Sequence, residues 1–142
     1  MEDKLISPLA ARLYEIGNEL DRFDFLALTA LAAPTLDKSE LTEENRLVSC
    51  ETKTWYKLDY NGAVRLTVES DSLFVKGLCV VLSEIAALSD TETLARGIGF
   101  ADECYRRGII NDARRRGLLS LEEKIIKYIT QIQKENANEK SN

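Results

Sequence analysis

The sequence predicts an α+β domain in which a small antiparallel sheet is packed against several α-helices. Three observations predict it. One Asn61-Gly62 turn signal is flanked on both sides by apolar residues at alternate positions. Runs with helical apolar spacing lie before and after that hairpin. A length of 142 residues with 44% hydrophobic content suits a single core. Residues 1–136 are therefore read as one domain, and 137–142 as a polar tail expected to be disordered.

Leu5, Leu9, Leu13, Ile16 and Leu20 recur at helical spacing, and Phe25, Leu26, Leu28 and Leu31 carry the pattern to Pro34, which stops it. The spacing predicts two N-terminal helices meeting near Asp21. Thr35 to Glu44 is polar and fits neither helix nor strand, so it reads as a loop feeding into Cys50. Residues 52–69 read as a hairpin. A two-residue turn would pair Tyr60 with Ala63 and split the apolar set between two faces. A three-residue loop, Tyr60-Asn61-Gly62 with Gly62 left-handed, pairs Leu58 with Val64, Tyr56 with Leu66 and Thr54 with Val68. That register gathers one apolar face and is the expected one; Trp55 then lies on the other face beside Lys57 and Arg65.

Ser70 and Asp71 are both good N-cap types, and the run that follows them is apolar around most of its circumference, as a centrally buried helix requires. Ser89-x-x-Glu92 has the form of a capping box, opening a helix that carries Leu94, Ile98, Ala101 and Tyr105 to Gly108, with Gly97 and Gly99 as its weak points. A last helix beginning near Asp112 sets Leu118, Leu121, Ile125, Tyr128, Ile129 and Ile132 on one side. No internal repeat is found.

Composition excludes several functions. Lys+Arg 19 against Asp+Glu 24 leaves a net charge of −5, without the basic footprint that nucleic acid or an anionic membrane surface demands. The N-terminal stretch has no charged region followed by an apolar one, and no window reaches the roughly 18 apolar residues of a spanning helix, so no membrane association and a cytoplasmic address are expected. Histidine is absent, which removes Ser-His and Cys-His catalysis and zincin sites. The three cysteines, Cys50, Cys79 and Cys104, are odd in number and lack C-x-x-C pairing, so reduced thiols and no metal site are expected. Cys79 lies in an apolar run and reads as core; Cys104 reads as core or partly exposed.

Cys50 is the remaining chemical candidate. Its reactive thiolate form is favoured by positive charge or a helix N-terminus. Arg46 and Lys53 are near in sequence, and Arg114, Arg115, Arg116 and the helix opening at Asp71 could approach through the fold. The alternative is a small buried hydrophobe.

The residues around Cys50 resemble the SufE/CsdE family of sulfur-acceptor proteins. The family's Asn, Val, Gly-Cys, Ser and Val-Trp correspond here to Asn45, Leu47, Ser49-Cys50, Thr52 and Thr54-Trp55. After the hairpin, its acidic residue, Ser, Asp and Val-Lys-Gly-Leu correspond to Glu69, Ser70, Asp71 and Val75 to Leu78. An Arg ahead of a Gly-Leu step corresponds to Arg114 before Gly117-Leu118. Pro34, Leu36 and the acidic stretch Asp37 to Glu44 also match in order. Ser49 stands where the family has glycine, adding a Cβ to a loop that glycine could bend through positive φ. Thr52 and Thr54 stand for Ser and Val, and Thr29-Ala30 for Leu-Gly, as in a diverged member.

The resemblance implies a SufE/IscU-like fold and a carrier whose Cys50 thiolate takes the outer sulfur of a persulfide on a cysteine desulfurase, by chemistry akin to thiol exchange. The protein would then pass that sulfur to a downstream cluster scaffold or other acceptor. It implies a sulfur-transfer accessory protein rather than a stand-alone enzyme. Pyridoxal phosphate lies on the desulfurase, so no cofactor is expected on this chain. Supporting roles fall to Asp71, Arg114, Lys76, Trp55 and Ser49. For Asp71 two readings stand, a helix cap or a contact with the Cys50 loop; for Arg114, a partner of Cys50 or a solvated charge. Lys76 opens a buried helix and can snorkel to water, and Trp55 can be packing alone. A monomer or weak homodimer is expected. The rival reading is a non-catalytic module that binds and tunes a desulfurase.

Overall fold

The computed structural model describes residues 5–140, with side chains through residue 137. Pro8 at the first helical position and Ser7, whose Oγ accepts the Ala10 N–H at 3.2 Å, open α1 (Pro8–Glu15). The Glu84 carboxylate accepts a further free N–H of that first turn, from Leu9, at 2.8 Å. The chain breaks at residues 16–18 and not at Asp21, because Asn18 caps α2 (Glu19–Ala32) by accepting the Asp21 N–H at 2.9 Å. Two short 3₁₀ turns, Lys38–Glu40 and Glu43–Asn45, occupy the acidic loop.

Strands β1 (Thr54–Tyr60) and β2 (Val64–Ser70) form a two-stranded antiparallel hairpin. The register pairs Tyr60 with Val64, Leu58 with Leu66, Tyr56 with Val68 and Thr54 with Ser70, two residues displaced from the pairing expected from sequence. The loop is indeed three residues long, but it is Asn61-Gly62-Ala63, since Tyr60 and Val64 still pair. A slip of two preserves the face, so Val64, Leu66 and Val68 are buried together as the alternation demands.

That face packs on α3 (Leu73–Leu88), which also packs against α2 and α1 and is the centre of the molecule. Its cap is Ser72, accepting the Val75 N–H at 3.2 Å; neither Ser70 nor Asp71 fills that position. Gly77 lets α3 reach α2: a Cβ there would sit 2.3 Å from the Leu26 carbonyl oxygen. The helix expected from Ser89 to Gly108 is two, α4 (Thr91–Ala95), capped by Asp90, and α5 (Phe100–Arg106). Between them Gly97 (φ +130°) and Gly99 (φ +78°) adopt conformations that no helix can pass through. Leu94, Ile98 and Ala101 are buried as the spacing asks, while Tyr105 faces out.

The last helix, α6 (Asp112–Lys140), packs on α4 and α5 and buries Leu118, Leu121, Ile125 and Ile129, with Tyr128 and Ile132 only half-buried. It continues through Lys140 into the stretch expected to be a disordered tail, where Glu, Ala and Lys are good helix formers. Residues 141–142 lie outside the described residues. No described helix is long and apolar enough to cross a membrane.

Candidate functional site

Cys50 rides on a turn, residues 48–53, held at both ends by the sheet. Buried Leu47 donates its N–H to the Thr54 carbonyl at 2.9 Å, and Arg46 bridges to Trp55. Within the turn, the Cys50 N–H donates to the Leu47 carbonyl at 3.3 Å, and the Asp71 N–H donates to the Lys53 carbonyl at 3.0 Å. Val48, Ser49 and Glu51 face solvent, whereas Cys50 is half-buried with its sulfur turned inward. Among the described residues no non-glycine has positive φ, so Ser49 carries its Cβ without left-handed strain.

The sulfur faces a cavity of about 110 Å³ walled by Leu47, by Val75, Leu78 and Cys79 of α3, and by Gly117, Leu118 and Leu121 of α6. That volume exceeds the roughly 10–15 Å³ needed to admit one water, and so admits one more sulfur atom. Gly117 faces the cysteine across this wall; a Cβ on it would lie 3.7 Å from the Cys50 Sγ. Thr54, fully buried, donates from Oγ1 toward that sulfur at 3.5 Å.

Of the cations that sequence offered, Arg114 alone lines the cavity. Asn111 caps α6, its Oδ1 accepting the Arg114 N–H at 2.9 Å, which fixes where the arginine leaves the helix; its guanidinium lies over the Phe74 ring at 4.9 Å. Arg115 is held by Asp102 at 2.8 Å, Arg116 pairs with Asp112, and Arg46 lies over the Trp55 ring at 5.8 Å. The helix N-terminus at the cavity is that of α6, through Asn111 and Ala113, beside the first turn of α3.

The structure thus brings Cys50 and Arg114 to one cavity, with Ser49 beside Cys50 on the turn but facing solvent, and with Asp71 tied to the turn by its backbone and not acting as a cap. Lys76 and Trp55 do not line the cavity. Lys76 is 4% exposed and its Nζ stands 3.4 Å from Glu69, and Trp55 is half-buried on the outer face of the hairpin. Cys79 is buried core, as expected, and also part of the cavity wall; burial, with a smaller contribution from Cys50, pushes its thiol up to about 12. Cys104 is fully buried and likewise raised to about 12, with burial the largest cause. Both are therefore thiols at neutral pH. Among the described residues no cluster of His, Cys, Asp or Glu could hold a metal ion. Sequence reasoning missed Gly117, Thr54 and the cavity role of Cys79. A glycine inside an apolar helix face was the available signal for Gly117, since it costs stability unless something approaches closely.

Comparison with known proteins follows the same lines. The family described as SufE, Fe-S metabolism associated domain, matches residues 8–129. SufE-like protein 2, chloroplastic, of Arabidopsis thaliana is 33% identical over 76 residues, covering 52% of this chain and 30% of that protein. The chloroplastic quinolinate synthase of the same plant is 31% identical over 79 residues, 54% of this chain and 11% of that protein. The chain therefore spans less than a third of the length of these curated relatives. The solution structure of a hypothetical protein from Thermus thermophilus shares the fold at 20% identity, with a TM-score of 0.67 over 89% of this chain and 96% of that one. With one family matching nearly all of its described length, the chain belongs to the SufE family, whose domain is associated with Fe-S metabolism.

Proposed function

We propose that this protein is a sulfur acceptor and carrier that takes sulfane sulfur from a pyridoxal-phosphate-dependent cysteine desulfurase onto Cys50 and passes it on for iron-sulfur cluster assembly. The observation that carries this reading is a half-buried cysteine on a solvent-exposed turn, its sulfur at an apolar cavity beside Arg114. In the step proposed, the Cys50 thiolate attacks the outer sulfur of the donor persulfide. The S–S bond of the donor breaks, its cysteine leaves as thiolate, and Cys50 becomes the persulfide. The guanidinium of Arg114 offsets the negative charge on that sulfur pair. The apolar walls, with Gly117 in place of a side chain, shelter the extra sulfur from water and oxidants. No histidine takes part in this step. Three free thiols suit a reducing compartment. The sequence reading takes that compartment to be the cytoplasm, whereas the curated relatives are named as chloroplastic proteins.

Intact mass after incubation with a cysteine desulfurase and cysteine tests the proposal. A gain of about 32 Da, one sulfur atom, that disappears in Cys50→Ala supports it. Tight binding to the desulfurase with no added mass favours the rival, a module that only binds and tunes its partner.

A further inference from the structure

Thr54 occupies a strand position where a β-branched residue packs well. Its hydroxyl nonetheless enters a connected set of hydrogen bonds. The Ser72 N–H, at the N-cap of α3, donates to Ser70 Oγ at 3.3 Å. Ser70 and Thr54 hydroxyls lie 2.9 Å apart, and Thr54 Oγ1 can donate to the Thr52 carbonyl at 3.0 Å or to Cys50 Sγ at 3.5 Å. Either hydroxyl can be the donor of that pair; with Ser70 as donor, the Thr54 proton goes to the Thr52 carbonyl or to the sulfur. In that arrangement Thr54 has one proton and two acceptors. The oxygens are buried, Thr54 wholly and Ser70 to within 8% of its surface, so water does not compete for them.

We propose that Thr54 is a positioning residue for Cys50: its hydroxyl proton rests on the Thr52 carbonyl while the sulfur is a neutral thiol and turns to the sulfur when it is an anion. The thiolate, and the inner sulfur of a persulfide, thereby gain a fixed donor, backed through Ser70 and Ser72 by the N-terminal end of a 16-residue helix. A valine at this position packs the same space and supplies no donor. The inference rests on Cys50 being the reactive sulfur, yet its test needs neither desulfurase nor persulfide.

The rate of Cys50 alkylation by iodoacetamide, read by peptide mapping across pH, tests it. Thr54→Val is expected to move the pH–rate profile to higher pH and lower the rate at neutral pH by about fivefold, the size of one lost hydrogen bond. Thr54→Ser restores it. Ser70→Ala leaves Thr54 in place but removes the donor behind it and gives a smaller shift in the same direction, which keeps the proposal decidable if Thr54→Val lowers the melting temperature. An unchanged profile in both Thr54→Val and Ser70→Ala overturns the proposal, as does an equal loss in Thr54→Ser. Failure to gain sulfur from a desulfurase, with the Thr54 effect intact, counts instead against the carrier reading.

Discussion

Arg114 lies over the Phe74 ring and also lines the Cys50 cavity, which lets its effect on the sulfur be tested. Arg114→Ala is expected to slow alkylation of Cys50 by iodoacetate more than by neutral iodoacetamide, changing their ratio roughly two- to fivefold, as suits a partly solvated charge. An unchanged ratio would leave the arginine as surface charge alone. Cys79 makes the complementary case: with its thiol pushed up to about 12 by burial, it is expected to stay unlabelled at pH 7 in the folded protein while Cys50 is modified. At this scale the sequence was only partly legible. Cys50 stood out by residue type, whereas Arg114 was one of three neighbouring arginines that only the family resemblance told apart. Thr54 looked like an ordinary strand residue, because the partners of its hydroxyl, Cys50 and Thr52 in the preceding turn and Ser70 on the other strand, meet it only once the turn and the register are formed. The same holds for Asp71, whose side chain suggested a cap although its backbone is what holds the turn.

Helix α3 meets α2 at Gly77, where the Leu26 backbone leaves no room for a Cβ. Gly77→Ala is expected to force the two helices apart and lower the melting temperature by roughly 10 °C or more. Gly117→Ala, whose added Cβ would meet Cys50 at ordinary contact distance, is expected to leave it within a few degrees of the parent. Thermal melts of the two variants side by side check both. Elements were easier to foresee than their joints. Apolar spacing located α2, α3, α6 and the hairpin, since burial of one face is written into the composition of each. The register slipped by two because either pairing gathers the same apolar face, and only the loop geometry at Asn61 to Ala63 separates them. Similarly, Leu94 to Tyr105 kept helical spacing across a break that the two glycines impose.

Taken whole, the molecule is a core built around α3, closed at one end by the Glu122 carboxylate. Only 4% exposed, Glu122 accepts the Gly99 N–H at 3.2 Å and the Ala101 N–H at 2.6 Å, fastening the start of α5 to α6. Burial, opposed by those two hydrogen bonds, raises this carboxyl to about 7. The folded state therefore binds a proton that the unfolded chain releases near 4.5, so the stability this group contributes is present below about 4.5 and is lost as pH rises through 7. A melting temperature that falls by several degrees from pH 5 to pH 8 is expected, with Glu122→Gln flattening the slope while costing stability at the acid end. The α+β class and the single core were legible from length and pattern; this buried acid was not, because Glu122 stands among ordinary charged neighbours in sequence. The turn bearing Cys50 sets a further scale. Six residues separate the anchors Leu47 and Thr54, a tether with about 20 Å of contour at full stretch, and hence a reach of roughly 10 Å out and back. If Cys50 is the acceptor proposed above, a donor must bring its own cysteine within that radius of the turn's anchors, so a sulfur at the foot of a deeper shaft is accessible only if the donor supplies the missing travel.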